Sequence, residues 1–210
     1  VRLLQDYVPH TADTFAAIHG DNYNGSVEEL LPFLSEIDFG DDTLNDARNW
    51  LAEWDFQMNM DSPQAALWAV FWERLMHHLY DDQLGDVGSA GGGSQDMWAT
   101  YLLAQQPDNV WWDDTTTADA TETRNDILKR SFEEGYAKTV ELLGSARDQW
   151  QWGKLHTATF VSNPLGLSGI DVIEDIVNRG AVMTGGGSSI VNATGWSAAA
   201  DDFTVRSLPS

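Results

Sequence analysis

WGKLHTATFVSNPLGLSGIDVIEDIVNRGAVMTGGGSSIVNATGW, residues 152–196, is the stretch whose reading decides the fold. Before it, apolar residues recur at three- and four-residue spacing; within it the period changes. Residues 157–161 and 188–194 alternate as strands do, with turn signals between them at Asn163-Pro164 and Ser168-Gly169. This predicts an α+β chain, mainly helical over residues 1–150 and strand-rich over residues 151–210. Gly185-Gly186-Gly187-Ser188-Ser189 lacks the Lys-Ser/Thr of a phosphate loop and no helical pattern follows it, so the glycines read as a close backbone approach leading into a strand. His156 has no acidic or serine partner nearby in sequence, and reads as a satisfied structural histidine rather than a general base.

Working outward, Leu44, Ala47, Leu51, Trp54 and Met58 fall on one face of a helix that Asp42 or Thr43 could cap. A second helix is expected over residues 61–80, starting at Ser62 with Pro63 at its first position, where the missing N–H costs nothing. Residues 65–72 are apolar all round, which requires cover on more than one side; an isolated chain of 210 residues would leave part of that surface bare. Residues 85–94 (GDVGSAGGGS) read as a flexible surface loop or hinge, and residues 107–123 as a polar loop. Thr123 and Asp126 form a capping box for a helix whose stripe is Leu128, Phe132, Tyr136, Val140 and Leu143, ending at Gly144.

The composition bounds the function. A net charge of -22 with only three lysines (Lys129, Lys138, Lys154) repels phosphate backbones and argues against nucleic acid as a partner. With no cysteine, there is neither a disulfide framework nor thiolate chemistry. The longest apolar run, residues 65–72, falls far short of the ~20 residues that span a bilayer. Glu73 and His77, four apart on one helix face with His78, Asp81 and Asp82 close by, have a spacing that can hold a metal, but the remaining residues of a zinc-protease motif are absent and a solvated helix end is preferred. Ten tryptophans either stack sugar rings or fill a core; Trp50, Trp54, Trp68 and Trp72 at helical spacing favour the core.

Three ordered motifs carry a family resemblance: Trp152-Gly153-Lys154-Leu155-His156, Asn163-Pro164-Leu165-Gly166, and the run from Gly185 to Asn192 closed by Ala193-Thr194-Gly195-Trp196. Gly20-Asp21-Asn22-Tyr23, Glu29-Leu30-Leu31-Pro32-Phe33-Leu34, Ala52-Glu53-Trp54-Asp55 and Asp61-Ser62-Pro63 agree with them. Over nearly its whole length the chain resembles a late part of the β chain of the penicillin acylases and the similar acyl-homoserine-lactone acylases. The resemblance implies an N-terminal nucleophile amidohydrolase with a four-layer αββα sandwich, of which residues 1–210 are one incomplete domain. In such enzymes a precursor cuts itself into α and β chains, and the new N-terminal serine acts as nucleophile with its own α-amine, pKa near ~8, as base. Val1 carries no nucleophile, so the resemblance places the serine, the oxyanion asparagine and the ligands of a structural calcium outside this chain, which reads as cut at both ends. No catalytic, substrate-binding or metal-ligating residue is assigned within it, and catalysis is expected to need no cofactor.

The implied partners are the remaining parts of the precursor, the α chain and the serine-bearing β segment, with a small-molecule amide as substrate; a bacterial periplasmic or secreted location follows from the same resemblance. The competing reading, from another class, is a free-standing acidic carbohydrate-binding module that uses its tryptophans as platforms.

Overall fold

The computed structural model describes residues 2–207; Val1 and residues 208–210, which bear on the two ends of the chain, lie outside the described residues. The architecture is α+β, with helices α1 (Arg2–Asp6), α2 (Ala12–His19), α3 (Gly25–Ser35), α4 (Asp42–Ala52), α5 (Pro63–Leu84), α6 (Ser94–Ala104) and α7 (Arg124–Leu143) ahead of the short α8 (Trp152–Leu155). After α8 come β1 (Thr157–Phe160), α9 (Asp171–Val177), β2 (Arg179–Met183), β3 (Gly195–Ser197) and β4 (Asp202–Ser207).

Helix α5 is the axis of the molecule. Ser62 caps it by accepting from the Ala65 N–H, Pro63 occupies its first turn, and Gly85 ends it at φ +49°. Every residue from Ala65 to Glu73 is buried, at most 2% exposed, with α7 packed along its length. The cover expected on more than one side is present, but the chain supplies it: the bare surface anticipated for an isolated chain does not occur on this helix. Helices α5 and α7 come close together at Gly135, where a Cβ would stand 2.8 Å from the Phe71 Cα. Glycine lets the two backbones meet at that point.

Helix α7 starts at the capping box of Thr123 and Asp126 and stops at Gly144, as its sequence indicates. Its buried face is broader than the expected stripe. Leu128 and Phe132 are buried and Tyr136, Val140 and Leu143 half-covered, but Ile127, Ser131, Gly135 and Thr139 are buried beside them. Helix α4 departs more clearly from expectation. Its cap is Asp41, whose carboxylate accepts from the Thr43 and Leu44 N–H groups, rather than Asp42 or Thr43, and it ends at Ala52. Trp54 and Met58 are core residues, 6% and 2% exposed, but they reach the core from the following loop, where Phe56 at φ +62° redirects the chain.

The Gly-rich segment 85–94 is partly anchored, because Trp72 donates its indole N–H to the Gly92 carbonyl and Ala90 is buried. The polar segment 107–123 contains the fully buried Trp112, held by the carbonyls of Leu103 and Gln106. Of the tryptophans at helical spacing, Trp54, Trp68 and Trp72 are core and Trp50 packs half-buried against it.

The strand region is two two-stranded antiparallel sheets, β1 with β2 and β3 with β4. In the first, Thr157 faces Met183 and Phe160 faces Arg179 across a bulge. The strand expected over residues 188–194 is absent: Ser189 takes φ +65°, Asn192 turns its backbone N–H to the Asp21 carbonyl, and strand geometry begins only at Gly195. The run 185–189 therefore leads into an irregular turn rather than a strand.

Candidate functional site

Two of the three motifs that carry the resemblance, residues 152–156 and 185–196, meet in one place. Helix α8 sets Trp152 and His156 side by side, their rings stacked at 4.5 Å and 8°. Both are fully buried. The Trp152 indole N–H donates to the Gly186 carbonyl at 3.0 Å, while Trp196 and Phe203 pack edge-on against its ring. The glycine run fits because it has no side chains. A Cβ on Gly185 would meet the Met58 carbonyl oxygen at 2.9 Å, and one on Gly186, at φ +92°, would meet the Asn192 carbonyl oxygen at 2.4 Å. The expected close backbone approach is there.

His156 is bonded at both nitrogens, with Nδ1 2.6 Å from the Phe203 carbonyl and Nε2 3.0 Å from Thr194 Oγ1. Burial depresses its pKa, so the ring is neutral. A carbonyl only accepts, which puts the proton on Nδ1 and leaves Nε2 to accept from the Thr194 hydroxyl. Thr194 has one proton and two acceptors within reach, since the Gly185 carbonyl lies 2.8 Å away. With Nδ1 on the Phe203 carbonyl, Nε2 turned to Thr194 and the ring fully buried, His156 presents no base to a substrate, in agreement with its reading as a structural histidine.

The early motif joins the same knot through a chain of amides. Asn22 accepts from Asn192 Nδ2 at 2.9 Å and donates to Asn59 Oδ1 at 2.8 Å. Its carbonyl takes the Met58 N–H, and the Met58 carbonyl takes the Gly186 N–H. Residues near 22, 58, 156, 186, 194 and 203 thus form one buried hydrogen-bonded unit tying the helical part to the strand region. Asn163-Pro164-Leu165-Gly166 lies apart from it, where Asn178 bridges the Ser162 N–H and the Gly166 carbonyl.

The acidic constellation on α5 is not the solvated helix end expected from the sequence, because it is built around a carboxylate inside the protein. Glu73 is fully buried, and its carboxylate accepts from Arg74 and from Lys138 of α7. Both cations also reach Asp201, in the turn before β4. His77 pairs with Asp81, while its Nε2 stands 3.5 Å from Glu73, an ion-pair separation; His78 turns away to Glu134 on α7 at 2.7 Å. Burial acts to raise the Glu73 pKa, but the adjoining His77 and Arg74 side chains outweigh it and hold the carboxyl well below the usual range. The Glu73 carboxylate, with help from Asp81, pushes His77 up to about 9. Among the described residues no group of three or more histidine, aspartate or glutamate side chains is arranged to hold a metal ion. The partners Arg74, Lys138 and Asp201 were missed in the sequence, although a glutamate closing an apolar run signals that some cation must meet it.

Comparison with known proteins identifies the family to which these motifs belong. The sequence profile of the family described as Penicillin amidase matches residues 1–210. The chain belongs to the penicillin amidase family. Curated relatives carry the name acyl-homoserine lactone acylase QuiP. The protein of that name from Pseudomonas fluorescens is 28% identical over 173 residues, covering 79% of this chain and 20% of the relative. Those from Pseudomonas syringae and Pseudomonas aeruginosa are 32% and 29% identical, covering 70% and 79% of this chain and 18% and 21% of the relatives. This penicillin amidase family chain thus spans about a fifth of the length of the curated relatives it matches. Among the described residues no helix is long and apolar enough to cross a membrane.

Proposed function

We propose that the chain is a structural part of an amidohydrolase that cleaves an acyl group from an amine, with an acyl-homoserine lactone or a penicillin-type amide as substrate. The observation that carries the reading is the family match along all 210 residues, joined to a motif cluster whose one histidine is bonded at both nitrogens. In this reading the nucleophilic serine, the oxyanion asparagine and any structural calcium belong to other parts of the same protein, produced by self-cleavage of a periplasmic or secreted precursor. The small antiparallel sheets would take their place in a four-layer αββα sandwich.

The strand region suits such a role. Phe160, Val161, Leu167, Val172, Ile176 and Val182 are all more than 40% exposed, and all five residues of β2 are exposed. A two-stranded sheet with apolar, unpaired flanks is marginal in water and is completed by further strands. The carbohydrate-module reading loses most of its platforms, because Trp68, Trp72, Trp112, Trp150 and Trp152 are 2% exposed or less and offer no ring face to a sugar, which leaves the exposed Trp98 as its chief support.

The test is to assay the isolated chain and the complete protein side by side on octanoyl-homoserine lactone and phenylacetyl amides. The expected result is turnover by the complete protein and none above background by the chain. Turnover by the isolated chain, abolished by His156→Ala or Ser188→Ala, would overturn the scaffold role.

A further inference from the structure

Between α3, α6 and the turn at residue 189 lies an open pocket of about 390 Å³, away from the His156 knot and the Glu73 network. Its volume falls within the ~300–1,000 Å³ of small-molecule sites. The walls are Leu30, Met97, Trp98 and Tyr101, with Glu29 as the one ionisable group besides the Tyr101 phenol. Trp98 is 61% exposed, in contrast to the buried tryptophans of the core, and its ring lies 5.4 Å from that of Tyr101, tilted by 35°. Two aromatic faces thus stand at the rim beside a carboxylate.

The polar end of the pocket is built. Ser189, held at φ +65°, accepts at its Oγ from the hydroxyl of Ser94 at the start of α6, 2.6 Å away. A non-glycine residue in the left-handed region costs of order 1 kcal/mol or more and persists only where its surroundings fix it. No lysine, arginine or histidine lines the pocket, and Glu29 has no ion pair among the described residues.

We propose that this pocket binds a small organic ammonium with an apolar body. The choice of charge follows from the lining. An anion would meet both Glu29 and the field of a chain carrying net charge -22. A neutral apolar molecule would cover the carboxylate without compensating it. An ammonium gains from the carboxylate and from the faces of Trp98 and Tyr101 together, and its apolar body covers Leu30 and Met97. The serine pair can accept a remaining N–H.

The experiment uses three probes with one phenylpropyl body: 3-phenylpropylammonium, 3-phenylpropanol and 3-phenylpropionate. Binding is followed by calorimetry and by the ¹⁵N-indole signals of the tryptophans, with Trp98 assigned from Trp98→Phe. The ammonium should bind with Kd of about 1 mM or tighter and shift the Trp98 signal. Glu29→Gln should weaken it about tenfold, and Trp98→Ala by a comparable factor. Both side chains are exposed or at a rim, so the variants should keep the wild-type melting temperature, which is checked first; a variant that melts early is replaced by Glu29→Ala or Trp98→Leu. Equal binding of the alcohol and the ammonium would overturn the assignment of charge. Absence of any shift at Trp98, in the chain and in the complete protein, would overturn the site.

Discussion

Helix α5 and the segment from β1 to β2 are both rich in large apolar side chains, and their fates are opposite. On α5, Leu67, Trp68, Val70, Phe71 and Trp72 are each at most 2% exposed, enclosed by elements drawn from both halves of the chain. Between Phe160 and Val182, Leu165, Leu167, Ile170, Val172 and Ile176 are all more than half exposed. Apolar content alone therefore does not say where a core is. What separates the two is cover: α5 has α7 against it, while β1 and β2 pair only with each other. The helical part buries its apolar side chains against its own elements, whereas the hairpin and α9 present an apolar face that nothing among the described residues covers.

The sharpest way to break this comparison is Phe71→Ala. Phe71 is 1% exposed and packs edge-on against Trp68 and Phe132, so its removal opens a cavity that closely packed neighbours cannot fill. The expected loss is about 3–5 kcal/mol, read from denaturant or thermal unfolding of the isolated chain. An unchanged melting temperature would mean that α5 is not enclosed. Gly135→Ala tests the same interface from the other side. Alanine favours a helix by up to ~1 kcal/mol over glycine, but here its Cβ would meet the α5 backbone, at 2.8 Å from the Phe71 Cα. Backbone cannot swing aside, so a net loss of about 1–2 kcal/mol is expected.

The same contrast explains which parts of the molecule were legible. Helices α5 and α7 announce themselves because their starts are local: Ser62-Pro63 opens one and Thr123 with Asp126 the other; Gly144 closes α7 as expected, whereas α5 runs on to Leu84, past the expected end at residue 80, before Gly85 stops it. Residues 44–58 misled because a loop that folds back onto the core keeps the same apolar spacing as a helix, and periodicity cannot tell Trp54 in a loop from Trp54 on a helix face. Strand β2 left no alternation to read, since all five residues are exposed and only pairing with β1 makes it a strand. Residues 188–194 alternate, but Ser189 and the side chain of Asn192 commit the backbone to a turn. In the motif cluster the likeness of each piece was visible, yet the partners of His156 are 38 and 47 residues away, and no local pattern reports such a bond.

A smaller effect sharpens the helical side of the comparison. His77 is raised from 6.5 to about 9 by Glu73, with Asp81 adding to it, so its pairing stabilises the fold fully below pH 6.5 and is lost as the pH rises through about 9. Glu73 acts with the opposite sign: its folded pKa is depressed, so its contribution is present above 4.5 and disappears on acidification. Because the His77 side chain is 25% exposed, solvent screening reduces its share to about 1 kcal/mol. Between pH 6.5 and 9.5 the wild-type chain should lose that amount and His77→Gln should not. Parallel pH profiles would show instead that the charge network is idle.

The smallest expected effect lies on the exposed side, and its smallness is the point. Ile176 in α9 is 77% exposed, so Ile176→Ser removes little buried area from the isolated chain. The change in stability should stay within about 0.5 kcal/mol, as for a surface substitution. In the complete protein the outcome depends on whether the face is covered. If further strands or helices dry it, the same substitution should cost about 1–3 kcal/mol, the transfer free energy of a buried isoleucine together with the burden of a covered hydroxyl. Measuring Ile176→Ser in both settings therefore reads the burial of one side chain twice. A loss confined to the complete protein would place α9 at an internal joint. Equal, negligible values in both would show that this apolar face stays at the surface, and the contrast with α5 would then describe two environments that persist in the assembled molecule.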